Sequence, residues 1–152
     1  MAGGFKVEVL GSAYIQAKFN RLEDVLDSKK LMSEIGTFII AEIKLRTSKG
    51  KDADGKDFKP YSAQYVLFRS KKKAPVGKVD LFLTGSMMSS MTYKSTKKQT
   101  KVYFLDTEDK SGSNNPQKAS ALNKNRKFFA LSEEDLREIK EIIQDYINFQ
   151  LR

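Results

Sequence analysis

Phe5, Val7 and Val9 alternate with Lys6 and Glu8, the two-residue period of a short strand with one buried face. The period then lengthens. Ile15, Phe19, Leu22 and Leu26 fall at i, i+4, i+7 and i+11, a single helical stripe. Asp27 and Ser28 interrupt it and supply a cap for a second helix. That helix, Leu31–Leu45, carries Met32, Ile35, Phe38, Ile39, Ile40 and Ile43, and is expected to be the buried centre. A polar segment follows from Thr47 to Lys59, then a short helix over Tyr61–Phe68.

Asp80–Leu83 and Met91–Ser95 read as short extended pieces, and Val102–Leu105, β-branched and aromatic, as a better strand. Between them Thr84-Gly85-Ser86 punctuates the apolar run. Ser86 is the expected N-cap of a helical turn through Met91, and Gly85 answers a backbone need; Met87, Met88 and Met91 fill the core. Asp106–Arg126, rich in Ser, Asn, Lys and Gly with one proline, is expected to be a mobile loop. Thr47–Lys59 and Asp106–Asn125 have few apolar residues to offset the ~1–2 kcal/mol per residue of backbone ordering, so both should be poorly packed in an isolated subunit. Phe128 and Phe129 then read as a short strand or a staple onto the core. Ser132 with Asp135 resembles a capping box, and Leu136, Ile139, Ile143, Tyr146 and Ile147 make the stripe of a last helix, Leu136–Leu151.

The resulting expectation is one α+β domain over residues 1–152. A small, mostly antiparallel sheet is packed by a long central helix and a C-terminal helix, with long polar loops. No internal repeat or dividing linker is visible. Composition agrees: 39% hydrophobic and 31% charged over 152 residues is enough for a core without staples. No apolar run approaches the ~20 residues of a bilayer span, and Met1-Ala-Gly-Gly-Phe-Lys-Val7 lacks the apolar centre of an export signal. Zero cysteines exclude disulfides and thiolate metal sites. Zero histidines remove the usual general base and zinc ligand, so no catalytic residue, metal or cofactor is expected.

Charge alters the picture further. The net +9 is uneven: residues 132–152 hold six acids and three bases, a local −3 that leaves +12 on the remainder. Bases cluster at Arg69, Lys71, Lys72 and Lys73, at Lys94 to Lys101, and at Lys118 to Lys127. Solvated loops explain them as well as an electrostatic surface for nucleic acid does, since lysine rather than arginine dominates.

Gly50-Lys-Asp-Ala-Asp-Gly55-Lys56-Asp57 comes within one residue of a phosphate-binding signature. The preceding segment is helical rather than a strand, Pro60 blocks a following helix, and Asp52, Asp54 and Asp57 place carboxylates where phosphate would sit. Calcium-loop spacing fails as well, because Ala63 stands where the closing glutamate is required. Asp54-Gly55 is turn chemistry, with Phe58 leading the chain back to the body.

Read onward, the same loop carries a resemblance. Asp54-Gly-Lys-Asp-Phe58-Lys-Pro-Tyr-Ser62 is followed by Leu81-Phe-Leu83-Thr84-Gly85-Ser86-Met-Met-Ser-Ser-Met91, then Ala121-Leu-Asn123 and Arg126-Lys-Phe128-Phe129-Ala-Leu-Ser132. From about Arg46 to the C-terminus the chain resembles the phage virion morphogenesis family, the tail-completion and neck proteins of tailed bacteriophages. Met88 and Ala130 stand where that family usually has leucine and glycine. The resemblance implies a structural, non-enzymatic subunit of a phage or prophage particle, acting in head–tail joining or tail completion. It implies a homo-oligomeric ring, a hexamer, beside head–tail connector and tail tube proteins in the virion neck or tail, with assembly in the host cytoplasm. DNA would pass through its channel, and no membrane is involved. The family motif falls on Asp54, Gly55, Phe58, Leu83, Thr84, Gly85, Ser86, Phe128 and Phe129. The alternative is a basic, sequence-independent nucleic-acid-binding domain, though no helix-turn-helix or RRM-type aromatic pattern is present. A discrete oligomer favours the first reading; a salt-dependent gel shift of DNA favours the second.

Overall fold

The computed structural model describes residues 12–107 and 112–152; the strand expected at Phe5–Val9 and the side chains of Ile15 and Phe19 lie outside the described residues. In chain order come α1 (Ser12–Leu26), α2 (Lys29–Ser48), α3 (Ala63–Lys71), α4 (Ser86–Ser89), β1 (Met91–Ser95), β2 (Thr100–Phe104), α5 (Asn115–Asn125) and α6 (Glu133–Gln150). The class is α+β. β1 and β2 form an antiparallel ribbon, running in register from Met91 opposite Phe104 to Ser95 opposite Thr100. A lone two-stranded ribbon is marginal in water, so α2 covers it.

Leu31, Ile35, Ile39 and Ile43 recur every fourth residue and form the buried ridge of α2. They join Phe58, Leu81, Met87, Met88, Met91, Phe104, Ala119 and Phe128 in one core. Gly36 lies on the same side, and a Cβ there would stand 2.7 Å from both Tyr93 Cγ and Thr100 Oγ1. Glycine normally weakens a helix interior by about 1 kcal/mol. Here its missing side chain lets the ribbon approach the helix backbone.

α6 runs antiparallel to α2 and is fastened at both ends. At one end the hydroxyls of Ser28 and Tyr146 lie 2.7 Å apart, and Ser28 Oγ also caps α2 by accepting from Leu31 N. At the other, Arg46 Nη1 donates to Asp135 Oδ2 at 2.8 Å and Nη2 to the Ala130 carbonyl at 2.7 Å. Asp135 also closes the capping box on Ser132. Asp135 is buried, so this pair is held far from water.

Four expectations change. Thr47–Lys59 is not loosely packed: Thr47, Ala53 and Phe58 are buried. Asp52 Oδ1 accepts from Asp54 N and Lys56 N, and Ala53 N donates to the Lys127 carbonyl, so backbone bonds replace the missing apolar area. Within Asp106–Arg126, residues 115–125 are helical because Asn114 caps them and Pro116 sits in the first turn. Asn115 and Ala119 are buried. Asp80–Leu83 is a bend rather than a strand. The N-cap of α4 is Gly85 at φ +79°, one residue before Ser86, with no side-chain cap bond.

Gly36→Ala is expected to destabilise the fold by about 1–3 kcal/mol in urea unfolding, against the usual helix gain, because the added Cβ would meet Tyr93 at Cγ, the ring atom nearest the ribbon backbone. An unchanged or raised midpoint would show that the ribbon does not press on α2.

Candidate functional site

Tyr61, Tyr65 and Arg69 stand four residues apart and so share one face of α3 and its lead-in. Arg69, expected on the basic surface, is instead fully buried. Its Nε donates to the Pro75 carbonyl at 2.8 Å, Nη1 to Tyr61 Oη at 3.2 Å, and Nη2 to the Phe82 carbonyl at 3.0 Å. Nη2 also reaches Asp80 Oδ1 at 3.3 Å, and the guanidinium lies 4.7 Å from the centre of the Tyr61 ring. Desolvation makes a buried cation costly unless its donors are satisfied, and here each guanidinium nitrogen finds a partner.

The partners are themselves tied together. Tyr61 Oη accepts from Leu81 N at 3.2 Å, and Asp80 Oδ1 accepts from Phe82 N at 3.0 Å. Burial raises the Tyr61 phenol above its ordinary value, opposed by the Arg69 charge and the Leu81 amide. Leu81 sits at φ +55°, a region leucine rarely enters, and the cage holds it there. Four residues on, Gly85 takes φ +79° beneath the Phe82 ring, where an added Cβ would come within 2.6 Å of the ring.

This region forms one wall of a groove of about 760 Å³. Lys59 to Ser62 and Tyr65 line one side, Leu81 and Leu83 to Met88 the floor and second side, and Lys118, Ala121, Leu122, Asn125 and Arg126 the third. Arg126 clamps the first side to the third, donating to the carbonyls of Lys59 at 3.1 Å and Pro60 at 3.2 Å. Its guanidinium also lies 5.5 Å from the Tyr61 ring centre. The groove is mainly apolar with cations at the rim.

Of the residues singled out in the sequence, Leu83, Thr84, Gly85 and Ser86 converge on this groove. Asp54 and Gly55 do not. They line a separate concavity of about 800 Å³ with Arg46, Lys127, Glu133 and Glu134. There Asp54 meets Lys127 Nζ at 2.9 Å, and that hydrogen bond, with the Lys127 and Lys56 charges, lowers the Asp54 carboxyl below its ordinary value against slight desolvation. Phe58 and Phe128 belong to the core, and Phe129 packs 4.9 Å from Phe104. Lys71 ends α3 and Lys72 and Lys73 follow it, all three exposed, so the basic surface there is lysine alone. Tyr61 and Arg126 stand in the resembling segments without being named as site residues, and Tyr65 and Asp80 were not singled out. The four-residue spacing of Tyr61, Tyr65 and Arg69 was the signal available for the two tyrosines.

In the groove, Ser62 Oγ caps α3 by accepting from Tyr65 N at 3.2 Å, and Ser86 Oγ lies 3.4 Å from Asn115 Nδ2. Among the described residues no cluster of three or more acidic, histidine or cysteine side chains is placed to hold a metal, and no helix is long and apolar enough to cross a membrane. The chain matches no family model, no curated protein and no solved structure.

Arg69→Met is expected to cost about 3–5 kcal/mol in urea unfolding and to expose residues 71–82 to trypsin, because it removes the buried cation that joins Asp80 to the Pro75 and Phe82 carbonyls. Lys72→Met should stay within about 0.5 kcal/mol. Equal stability of the two variants would remove Arg69 as the organiser of the groove.

Proposed function

We propose that this chain is a non-enzymatic structural subunit of a tailed phage or prophage particle, of the virion morphogenesis type, acting in head–tail joining or tail completion. The observation that carries the reading is a convergence. Tyr61-Ser62, Leu83–Ser86 and Arg126 belong to separate segments of the resemblance, and all face one groove. A groove with apolar floor, cationic rim and engaged hydroxyls suits protein docking.

The surface supports the same reading. Leu67, Phe82 and Phe149 are 65%, 51% and 71% exposed, more large apolar surface than a subunit working alone needs. Contacts between unlike surfaces of identical subunits close into rings when the rotation allows. In this proposal the subunit forms a closed homo-oligomer, six copies by the family resemblance. It sits in the neck or tail beside head–tail connector and tail tube proteins and assembles in the host cytoplasm. Lys71, Lys72 and Lys73 would face DNA in the channel, where lysines supply sequence-independent attraction to phosphate.

Light scattering of the purified chain is expected to give a discrete closed oligomer. A monomer at every concentration, combined with a salt-dependent shift of DNA, would replace this reading with the nucleic-acid-binding one. Reversing Lys71, Lys72 and Lys73 to Glu should leave unfolding within about 0.5 kcal/mol, since all three are exposed, while lowering infectious yield. Normal yield would assign those lysines to solvation.

A further inference from the structure

The groove and α6 carry opposite chemistry. The groove has an apolar floor around Leu83, Met88 and Leu122, with Lys59, Lys118 and Arg126 at its edge. No residue of α6 lines it. On α6, Ile139, Ile142, Ile143 and Tyr146 pack against the core of their own chain. Another face remains outward. Glu141, Asp145 and Phe149 follow one another at four-residue intervals, all exposed, with Glu138 beside them. Phe149 is 71% exposed and Leu151, just past the last turn, 43%. Residues 132–152 carry −3 against +12 for the rest of the +9 chain.

We infer that the groove receives the end of α6 from a second copy of this chain, with Phe149 and Leu151 entering the apolar floor and Glu141 and Asp145 facing Lys59, Lys118 and Arg126. The inference rests on the ring reading above and specifies its joint. Phe149 is the anchor, because a desolvated aromatic side chain supplies the affinity at an interface. The charges set orientation and speed encounter more than they add affinity. The two surfaces are different parts of one chain, so each copy offers a groove to one neighbour and a helix end to the other. Such a heterologous contact propagates around a ring.

The chain has no cysteine, which makes the test direct. Ala121 lines the groove and Asn148 adjoins Phe149, and both are exposed, so A121C and N148C should fold as the parent does. Under mild oxidation, a mixture of the two single variants is expected to give a disulfide-linked dimer of one of each. The double variant should give covalent closed oligomers. Adding F149D, or K59E, to the pair should lower the cross-link yield roughly tenfold or more, and adding D145K to the K59E background should restore much of it. A discrete oligomer that shows no A121C–N148C link overturns this joint and leaves the ring reading standing. A chain that stays monomeric overturns both. A link whose yield is indifferent to F149D and K59E records random collision and overturns the joint.

Discussion

A guanidinium shut away from water must find partners for its donors, and the way Arg69 finds them decides the shape of residues 61–82. This stretch contains one short helix and otherwise irregular backbone, which ordinarily would be loose. Arg69 binds it instead at Tyr61, Pro75, Asp80 and Phe82. The strained Leu81 and the tight approach of Phe82 to Gly85 are consequences. Each is unfavourable alone, and each persists because losing it would leave buried polar groups unpaired. The wall of the groove is therefore pinned at four points, and a wall fixed in advance avoids the entropy of ordering on contact.

Electrostatics divides the molecule into two kinds of interaction. The Arg46–Asp135 and Arg69–Asp80 contacts are buried on at least one side and tie distant segments together. The contacts of Lys51 with Asp57, Lys98 with Asp27 and Lys127 with Asp54 are exposed, and such pairs contribute about 0–1 kcal/mol each. Along α6 the balance is unfavourable. Glu138 is raised above its ordinary value by desolvation and by the carboxylates of Glu42, Glu134, Glu141 and Asp135. A carboxyl whose folded value is raised opposes folding where it is ionised, and that opposition fades as pH falls through the raised value. Cations brought against this face would relieve the same repulsion at neutral pH, which gives the acidic helix a physical reason to accept a basic neighbour.

The scaffold was largely legible in the sequence. The i+4 ridge of α2, the Ser28 cap, the Ser132–Asp135 box and the β1–β2 ribbon all rest on local periodicity and capping, which single residues announce. The groove was legible only in part. Leu83 to Ser86 stood out through the resemblance and the Thr-Gly-Ser punctuation, and they do line it. Arg69 was misjudged because an arginine beside three lysines looks solvated, and its burial depends on Tyr61 and Phe82 folding back over it. Helix α5 was hidden by polar composition: Ala119 and Leu122 are too few to show a stripe, and Asn114 and Pro116 were the signals overlooked. The polar loop after α2 is ordered because the Asp52 carboxylate takes over backbone bonds there.

We propose that copies of this chain join through the groove that Arg69 organises. Hydrogen–deuterium exchange across the dilution range of self-association tests it most directly. Concentration is expected to add protection within residues 59–65 and 81–88, in α5, and in the last two turns of α6. The concavity between Arg46 and Glu134 should be unchanged. Protection confined to that second concavity, or none that depends on concentration, would contradict it.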